Sequence, residues 1–290
     1  MKLILMHADT PYRVYTEGRA LVDKELHVHT SALSSFEVCE VTFAFWSHHK
    51  LSDEEAWERY LKMKEAWELV LREHPLPSRR HYYSIEDGRL ICGRYQRIER
   101  LYADGIRMLA PMWAGCNRLG GGYDTPCGLT PEGMDTLSAA LALGIRPDLS
   151  HASPVAAREL LHLGEMAGVP LLASHTNAYT VCPHPRNLPD DILSCLIESG
   201  GLIGICLVPQ HLGDREDALL RHIQHILELG GEDALAIGGD LDGTDILYGG
   251  YCHAGDLLSL EGELQKAFGR EITDKILWQN AKRYLATLPK

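Results

Sequence analysis

Histidine and carboxylate side chains follow short apolar segments at distant points of this 290-residue chain. His7 and Asp9 end the first segment, and Glu86 ends a later one. Residues two apart in a strand face the same side about 7 Å apart, so His7 and Asp9 can reach one ion. Imidazole and carboxylate groups are good zinc ligands, and the two oxygens of Glu86 could bridge two ions. Each of these motifs alone is also typical of an ordinary turn.

Two consecutive apolar segments each end in Ser-His, at His151 and at His175. This repetition is harder to attribute to unrelated structural histidines than either pair alone. A further segment ends in two glycines followed by Asp240, where glycine allows close approach of the backbone and a carboxylate can act as general acid or base. The sequence therefore predicts a site for two divalent metal ions, expected to be zinc, with Asp240 as the catalytic residue and as ligands His7, Asp9, Glu86, His151 and His175.

The pair His27 and His29 has a spacing that metal sites also use, but it lies before a predicted strand rather than at a strand end. We therefore interpret it as lying outside the site, and we interpret Asp242 as a turn residue. The remaining histidines without a strand-end position are interpreted as surface or helix residues: His48, His49, His162, His211, His222, His225 and His253.

Short apolar runs alternate with longer amphipathic stretches along almost the whole chain. Strands are predicted at residues 2–8, 37–46, 81–86, 106–112, 146–151, 170–175, 202–208 and 234–240. Helices are predicted at residues 53–72, 94–103, 131–143, 154–167, 189–198, 214–229, 256–268 and 273–286. Ser52 with Glu55 has the pattern of a capping box, and prolines at 131 and 154 follow residues that favour helix starts.

Strands that alternate with helices form mostly parallel sheets, and eight such units favour a closed barrel. We therefore expect residues 1–290 to form a single domain with the (β/α)8 fold of TIM-like barrels. The alternative, an open doubly wound sheet, lacks the G-x-G-x-x-G motif that would follow its first strand. Barrel enzymes place their active sites at the carboxyl ends of the strands, which is where the predicted ligands fall.

The chain has a formal net charge of −12, with 45% hydrophobic and 23% charged residues. This composition is typical of a globular protein, and the acidity argues against nucleic acids and anionic membranes as partners. The start of the chain lacks the long apolar stretch of a signal peptide, and no run of about 18 apolar residues predicts a membrane span. The eight cysteines form no C-x-x-C pair, so we expect reduced thiols and a cytoplasmic location.

Residues 128–243 resemble the membrane (renal) dipeptidase family of zinc peptidases, and the chain looks like a short bacterial-type member. The resemblance rests on four motifs: Asp-Leu-Ser-His at 148–151, Ser-His-Thr-Asn at 174–177, Arg-Asn-Leu at 186–188 and Gly-Asp-Leu-Asp-Gly at 239–243. The N-terminal third matches only through His7-x-Asp9 and the Ile-Glu-Asp-Gly stretch at 85–88. The family fold is also a (β/α)8 barrel.

The resemblance implies a role for each site residue. His7 and Asp9 would bind one zinc ion, Glu86 would bridge, and His151 and His175 would bind the second. Arg186 would hold a substrate carboxylate, and Asp240 would handle protons. One departure stands out, because family enzymes carry a histidine that helps to stabilise the reacting carbonyl where this chain has Trp113. We expect Trp113 to form an apolar wall of the substrate site.

These observations predict a metal-dependent dipeptidase in which a metal-bridged hydroxide attacks the amide bond of a dipeptide. Two alternatives remain at this stage. One is a related binuclear amidohydrolase that acts on another small amide or on a lactone. The other is a barrel that binds a ligand without catalysis, which the Trp113 substitution would favour. The stereochemical preference, the native metal and the oligomeric state, with a homodimer among the alternatives, stay open.

Overall fold

The computed structural model describes residues 1–78 and 80–289 of the chain. Its strands form from the apolar runs, and in the first strand six of seven residues are buried. Continuous apolar runs are typical of parallel strands, because helices cover the outer face of the sheet. The strands are β1 Lys2–Ala8, β2 Val38–Trp46, β3 Tyr82–Glu86, β4 Ile106–Ala110, β5 Arg146–Pro147, β6 Leu172–Thr176, β7 Leu202–Cys206 and β8 Leu235–Leu241.

The strands pair in parallel in the order β5-β4-β3-β2-β1-β8-β7-β6. The gap between β5 and β6 is spanned just beyond β5, where the backbone N–H of Leu149 donates to the carbonyl oxygen of Leu172 at 2.8 Å. Asp148 forms a parallel bridge with the same residue. The sheet is therefore a nearly closed barrel of eight strands, and the predicted (β/α)8 fold is confirmed.

The outer layer consists of helices that begin at the predicted caps. Ser52 and Glu55 form a complete capping box, and Thr130 and Ser153 cap helices whose first residue is proline. The helices are α1 Thr10–Glu17, α2 Thr30–Leu33, α3 Asp53–Glu73, α4 Tyr95–Ala103, α5 Pro131–Leu143, α6 Pro154–Ala167, α7 Asp190–Glu198, α8 Pro209–Leu212, α9 Ala218–Glu228, α10 Leu258–Asp274 and α11 Asn280–Leu285. Among residues 1–78 and 80–289, no helix is both long and apolar enough to span a membrane.

Strand β5 is shorter than its predicted range of 146–151 and ends at Pro147. Proline has no N–H to donate to a neighbouring strand. The Asp148 carboxylate then accepts the backbone N–H groups of Ser150 and Ser174 at 2.9 Å each. Side-chain bonds thus supplement the short backbone bridge between β5 and β6, and the chain turns before it reaches His151.

Helix α1 is a second difference, since no helix is predicted between the first two strands. Its eight residues are too few to show a clear apolar period, but Pro11 lies in its first turn and Gly18 ends it in the left-handed conformation at φ 67°. This helix follows Asp9 directly. It therefore fixes the chain that leaves the carboxyl end of β1.

The C-terminal segment closes the other end of the barrel. Helix α10 is interrupted at Gly269 with φ 80°, and a π-helical turn at Lys275–Gln279 connects it to α11. Tyr284, Leu285 and Leu288 then pack against apolar residues that include Ile4 of β1. This packing fills the floor of the barrel and leaves the opposite rim open.

Candidate functional site

Six buried polar side chains meet at the carboxyl ends of the strands. None of them is more than 9% exposed, and three groups of possible ligand atoms each lie within 4.8 Å of one another. These side chains are His7, Asp9, Glu86, His151, His175 and Asp240. They come from strands β1, β3, β6 and β8 and from the turns after β1 and β5. The structure thus brings together all six residues that the sequence predicts to bind metal or transfer protons.

Glu86 is shared by two of these groups. One of its oxygens, Oε2, lies 3.1 Å from Nε2 of His7, which is also 3.3 Å from Oδ2 of Asp9. The other oxygen, Oε1, lies 2.7 Å from Nε2 of His151 and 3.8 Å from Nε2 of His175. The carboxylate therefore faces one donor group with each oxygen, which is the arrangement required of a bridging ligand.

The charges of this cluster depend on burial and on its own members. Burial would lower the pKa of His7, but the Glu86 and Asp9 carboxylates outweigh burial and hold that pKa well above its usual value. Burial would raise the pKa of Glu86, but His7 and His151 hold it well below its usual value. Burial raises the pKa of Asp9 and of Asp240.

The other two imidazoles are neutral near pH 7. Burial lowers the pKa of His151 to about 4, and the nearby Arg186 guanidinium adds to this effect. Burial also lowers the pKa of His175 well below its usual value, with a further contribution from His7. Neutral imidazole is the form that binds metal ions, so His151 and His175 have the protonation state that a ligand needs.

The hydrogen-bond pattern fits cations held by this cluster. Nδ1 of His151 lies 3.1 Å from the carbonyl oxygen of Trp113, which can only accept, so Nδ1 carries the hydrogen and Nε2 is bare. That bare nitrogen faces a Glu86 oxygen at 2.7 Å and Nε2 of His175 at 2.9 Å. A lone pair directed at a carboxylate is favourable only when positive charge lies between them.

Space and unsatisfied polar atoms support the same interpretation. Oδ1 of Asp9 is buried without a hydrogen-bond partner in the part of the chain that the structure describes. A Cβ atom at Gly243 would clash with Oδ1 of Asp240 and Oδ2 of Asp9, so glycine keeps these carboxylates accessible. Imidazole nitrogens and carboxylate oxygens are the donor set of zinc hydrolases, and the residues present therefore fit divalent cations.

Backbone strain is concentrated at this rim. In the described part of the chain, the non-glycine residues with positive φ are Asp87, His151, Asp240 and Asp242, with φ between 63° and 68°. Such conformations are unfavourable for residues with a side chain and persist where the surroundings impose them. His151 and Asp240 belong to the donor groups, and Asp87 directly follows Glu86. Asp242 lines the cavity described next.

A cavity of about 500 Å³ opens above the cluster. Arg186 lines it and is 5% exposed, with its guanidinium 5.5 Å from the centre of the Tyr123 ring. Within the described residues, no carboxylate lies within 4.0 Å of this guanidinium. Trp113 lines another part of the cavity, with its ring 5.1 Å from that of Trp46 and stacked 5.4 Å from that of His49.

Comparison with known proteins identifies the family. The sequence pattern described as membrane dipeptidase (peptidase family M19) matches residues 55–288. The chain belongs to the membrane dipeptidase family. It is therefore a metal-dependent hydrolase of the dipeptidase type.

Two curated relatives match parts of this member of the membrane dipeptidase family in sequence. An uncharacterised protein in the pqqA 5′ region of Klebsiella pneumoniae is 32% identical over 213 residues, which are 67% of this chain and 76% of that protein. An uncharacterised dipeptidase of Schizosaccharomyces pombe is 30% identical over 174 residues, which are 56% of this chain and 42% of that protein. The second match thus spans less than half of the yeast protein.

Solved structures share the fold at lower identity. A metallopeptidase from Rhodobacter sphaeroides, liganded with a phosphinate mimic of the dipeptide L-Ala-D-Ala, has a TM-score of 0.89 at 20% identity and covers 99% of both chains. The probable dipeptidase PvdM from Pseudomonas aeruginosa has a TM-score of 0.79 at 15% identity, over 91% of this chain and 89% of that one. These matches support the barrel architecture of the membrane dipeptidase family.

Several residues of the cavity are absent from the sequence prediction. His211, interpreted there as a surface or helix residue, lies in α8 but lines the cavity, and burial together with Arg186 lowers its pKa to about 3. Tyr12 of the unpredicted helix α1 and Trp46 at the end of β2 form an aromatic pair in the cavity wall, with ring centres 4.7 Å apart. Trp46 ends β2, so strand-end position could have identified it, whereas Tyr12 and His211 lie on short helices.

The His27 and His29 pair lies outside the three donor groups found among the described residues. Nδ1 of His27 accepts the backbone N–H of Asp242 at 2.9 Å, and Nδ1 of His29 accepts that of Ala32 at 3.2 Å. Asp242 is a turn residue, as predicted, but it also accepts a 2.6 Å hydrogen bond from Oγ1 of Thr10. Both histidines thus support the loops beneath the site.

Proposed function

We propose that this chain is a dipeptidase that hydrolyses the amide bond of dipeptides at a binuclear zinc centre. The position of Glu86 between two groups of imidazole and carboxylate donors carries the proposal, because one carboxylate then serves two ions. His7 and Asp9 would hold one ion, and His151 and His175 the other. Bound together, two such ions supply Lewis acidity to the amide carbonyl and to the attacking water.

Asp240 is the proposed proton carrier. It lies at the carboxyl end of β8, lines the cavity and shares a donor group with His7 and His175. When water attacks the carbonyl carbon, an Asp240 oxygen accepts the proton that the water loses. The same proton then passes to the amide nitrogen as the C–N bond breaks, which leaves a free amine and a free carboxylate.

Arg186 is proposed to orient the substrate. A buried guanidinium without a carboxylate partner in its described surroundings can form a two-pronged hydrogen bond with the terminal carboxylate of a dipeptide. A hydrogen bond to the backbone holds the Arg186 side chain in place, because its Nη2 donates to the backbone oxygen of His175 at 3.5 Å. The carboxylate would thereby be fixed at a set distance from the metal ligands.

The aromatic wall is proposed to exclude water from the reacting bond. Trp113, Trp46 and Tyr12 form a continuous edge-to-face series along the cavity. Apolar rings beside charged groups lower the local polarity and strengthen electrostatic interactions with the substrate. Trp113 thus contributes packing where family enzymes carry an imidazole.

A substrate panel with matched variants tests the proposal. Zinc-loaded protein is assayed with L,L- and L,D-dipeptides, N-acyl amino acids and a lactone, next to His151→Ala and the exposed control His162→Ala, whose side chain is 67% accessible. We expect dipeptide hydrolysis in the wild type and the control and none above background in His151→Ala. Hydrolysis of only the lactone or the N-acyl compounds would favour the related amidohydrolase, and no turnover would favour a binding protein.

A further inference from the structure

The hydroxyl of Ser174 lies behind two of the proposed metal ligands. Its Oγ atom is 2.8 Å from Nδ1 of His175 on β6 and 3.5 Å from Nδ1 of His7 on β1. Both ring nitrogens are the ones directed away from Glu86, since the Nε2 atoms face that carboxylate. Ser174 itself is 2% exposed, so bulk solvent does not reach the hydroxyl. One oxygen atom therefore contacts ligands from two different strands.

Asp148 holds the backbone beside this hydroxyl. Its carboxylate is 2% exposed and accepts the backbone N–H groups of Ser150 and Ser174 at 2.9 Å each. The hydroxyl groups of the same two serines lie close enough to this carboxylate to counteract burial, which raises the pKa of Asp148. A carboxylate can only accept, so Asp148 is an acceptor available to the Ser174 hydroxyl hydrogen.

The hydrogen count then gives the tautomer of both imidazoles. A serine hydroxyl has one hydrogen and two lone pairs, and Asp148 offers an acceptor for that hydrogen. With the hydrogen directed at Asp148, the lone pairs accept, and Nδ1 of His175 and Nδ1 of His7 each carry a hydrogen. With hydrogen on Nδ1, the lone pair available for a metal ion is on Nε2, which faces the site.

We propose that Asp148 and Ser174 are positioning residues that hold His7 and His175 in the metal-binding orientation and tautomer. This inference rests on the proposed metal centre. The negative charge of Asp148 reaches both rings through the shared hydroxyl and makes their Nε2 atoms stronger donors. Removal of a partner that contacts a metal ligand from behind typically weakens metal binding by about 10- to 100-fold.

The first experiment compares zinc affinity by chelator competition in Ser174→Ala, Asp148→Asn and the control Ser84→Ala. Ser84 is a buried strand serine whose hydroxyl has no hydrogen-bond partner among the described residues, so its removal tests the loss of a hydroxyl alone. We expect about 10–100-fold weaker binding in the first two variants and wild-type affinity in the control. Asp148→Asn keeps the shape of the side chain and decides the outcome if Ser174→Ala does not fold.

The second readout is spectroscopic and independent of catalysis. In zinc-loaded protein with ¹⁵N-labelled histidine, Nδ1–H signals of His7, His151 and His175 should be protected from solvent exchange. Ser174→Ala should remove that protection at His7 and His175 but not at His151, whose Nδ1–H donates to the Trp113 carbonyl oxygen instead. Unchanged affinity and unchanged signals in Ser174→Ala overturn the inference. A wild-type chain that binds no zinc overturns the proposed metal centre itself.

Discussion

The two oxygens of Glu86 lie 3.1 Å from Nε2 of His7 and 2.7 Å from Nε2 of His151, although these histidines come from strand ends on different sides of the barrel rim. One side chain thus connects two groups of donors. Since the two groups share this carboxylate, the loss of its charge should affect both ions rather than one.

Glu86→Gln should therefore weaken both bound zinc ions by at least about 10-fold and remove dipeptidase activity, because an amide lacks the charge and the second acceptor oxygen of a bridging ligand. Metal content after dialysis against a weak chelator measures the effect. Glu165→Gln is the control, since that side chain is 82% accessible on the surface. Retention of two ions by Glu86→Gln would contradict the bridging role.

Arg186→Met should raise KM for dipeptides by about 10- to 1000-fold while leaving zinc content unchanged. The expected loss reflects a charge-assisted hydrogen bond with the substrate carboxylate, and no metal ligand is altered. The measurement compares each dipeptide with its C-terminal amide. In the wild type the amide should be much the poorer substrate, and in Arg186→Met the two should be similar. A variant that still prefers the free carboxylate would exclude this role.

Trp113→Ala should lower kcat/KM for dipeptides about 10-fold, because it opens the aromatic wall to water and removes apolar contacts with the substrate. Trp113→Phe keeps an aromatic ring and should lose less than about 3-fold. Zinc content should stay the same in both, since the contact with His151 comes from the backbone oxygen of residue 113. A larger loss in Trp113→Phe than in Trp113→Ala would contradict the apolar-wall role.

His222 should make the free energy of unfolding dependent on pH. This histidine is completely buried. Its Nδ1 accepts the backbone N–H of Ala178, and its Nε2 contacts the carbonyl oxygen of Leu212. Burial lowers the pKa of His222 to about 4 from 6.5. The unfolded chain then binds the proton more readily, so the stability from neutral His222 is complete above pH 6.5 and is lost as pH falls toward 4.

Denaturant titration of metal-free protein tests this expectation. The difference in free energy of unfolding between wild type and His222→Gln should shrink by about 1–2 kcal/mol between pH 7 and pH 4.5. His162→Gln, with a side chain that is 67% accessible, should follow the wild type at every pH. A difference that stays constant over this range would show that His222 does not titrate on unfolding.

The barrel and the convergence of the candidate ligands could be predicted because each depends on local patterns. Apolar runs identify strands, and the residue type at each strand end identifies a candidate ligand, so His7 and His175 could be placed at one rim before their distance was known. The fold then brings these candidate ligands together, because the carboxyl ends of parallel strands lie at the same rim of the barrel.

The cavity wall could not be predicted in the same way. Tyr12 and His211 lie on short helices that follow strands, and their approach to the site depends on how those helices turn back over the rim. Asp148 was assigned to a strand, but the strand ends before it, and its carboxylate accepts the backbone N–H groups of two serines. A sequence pattern records the type of such a residue and not the direction of its hydrogen bonds.

The zinc content of the purified, zinc-loaded protein is the most direct test of the proposed centre. The wild type should hold two zinc ions per chain, and His151→Ala and His175→Ala should each lose most of the bound metal together with all dipeptidase activity. Metal content in both variants equal to that of the wild type, or a wild type without bound zinc, would contradict the assignment.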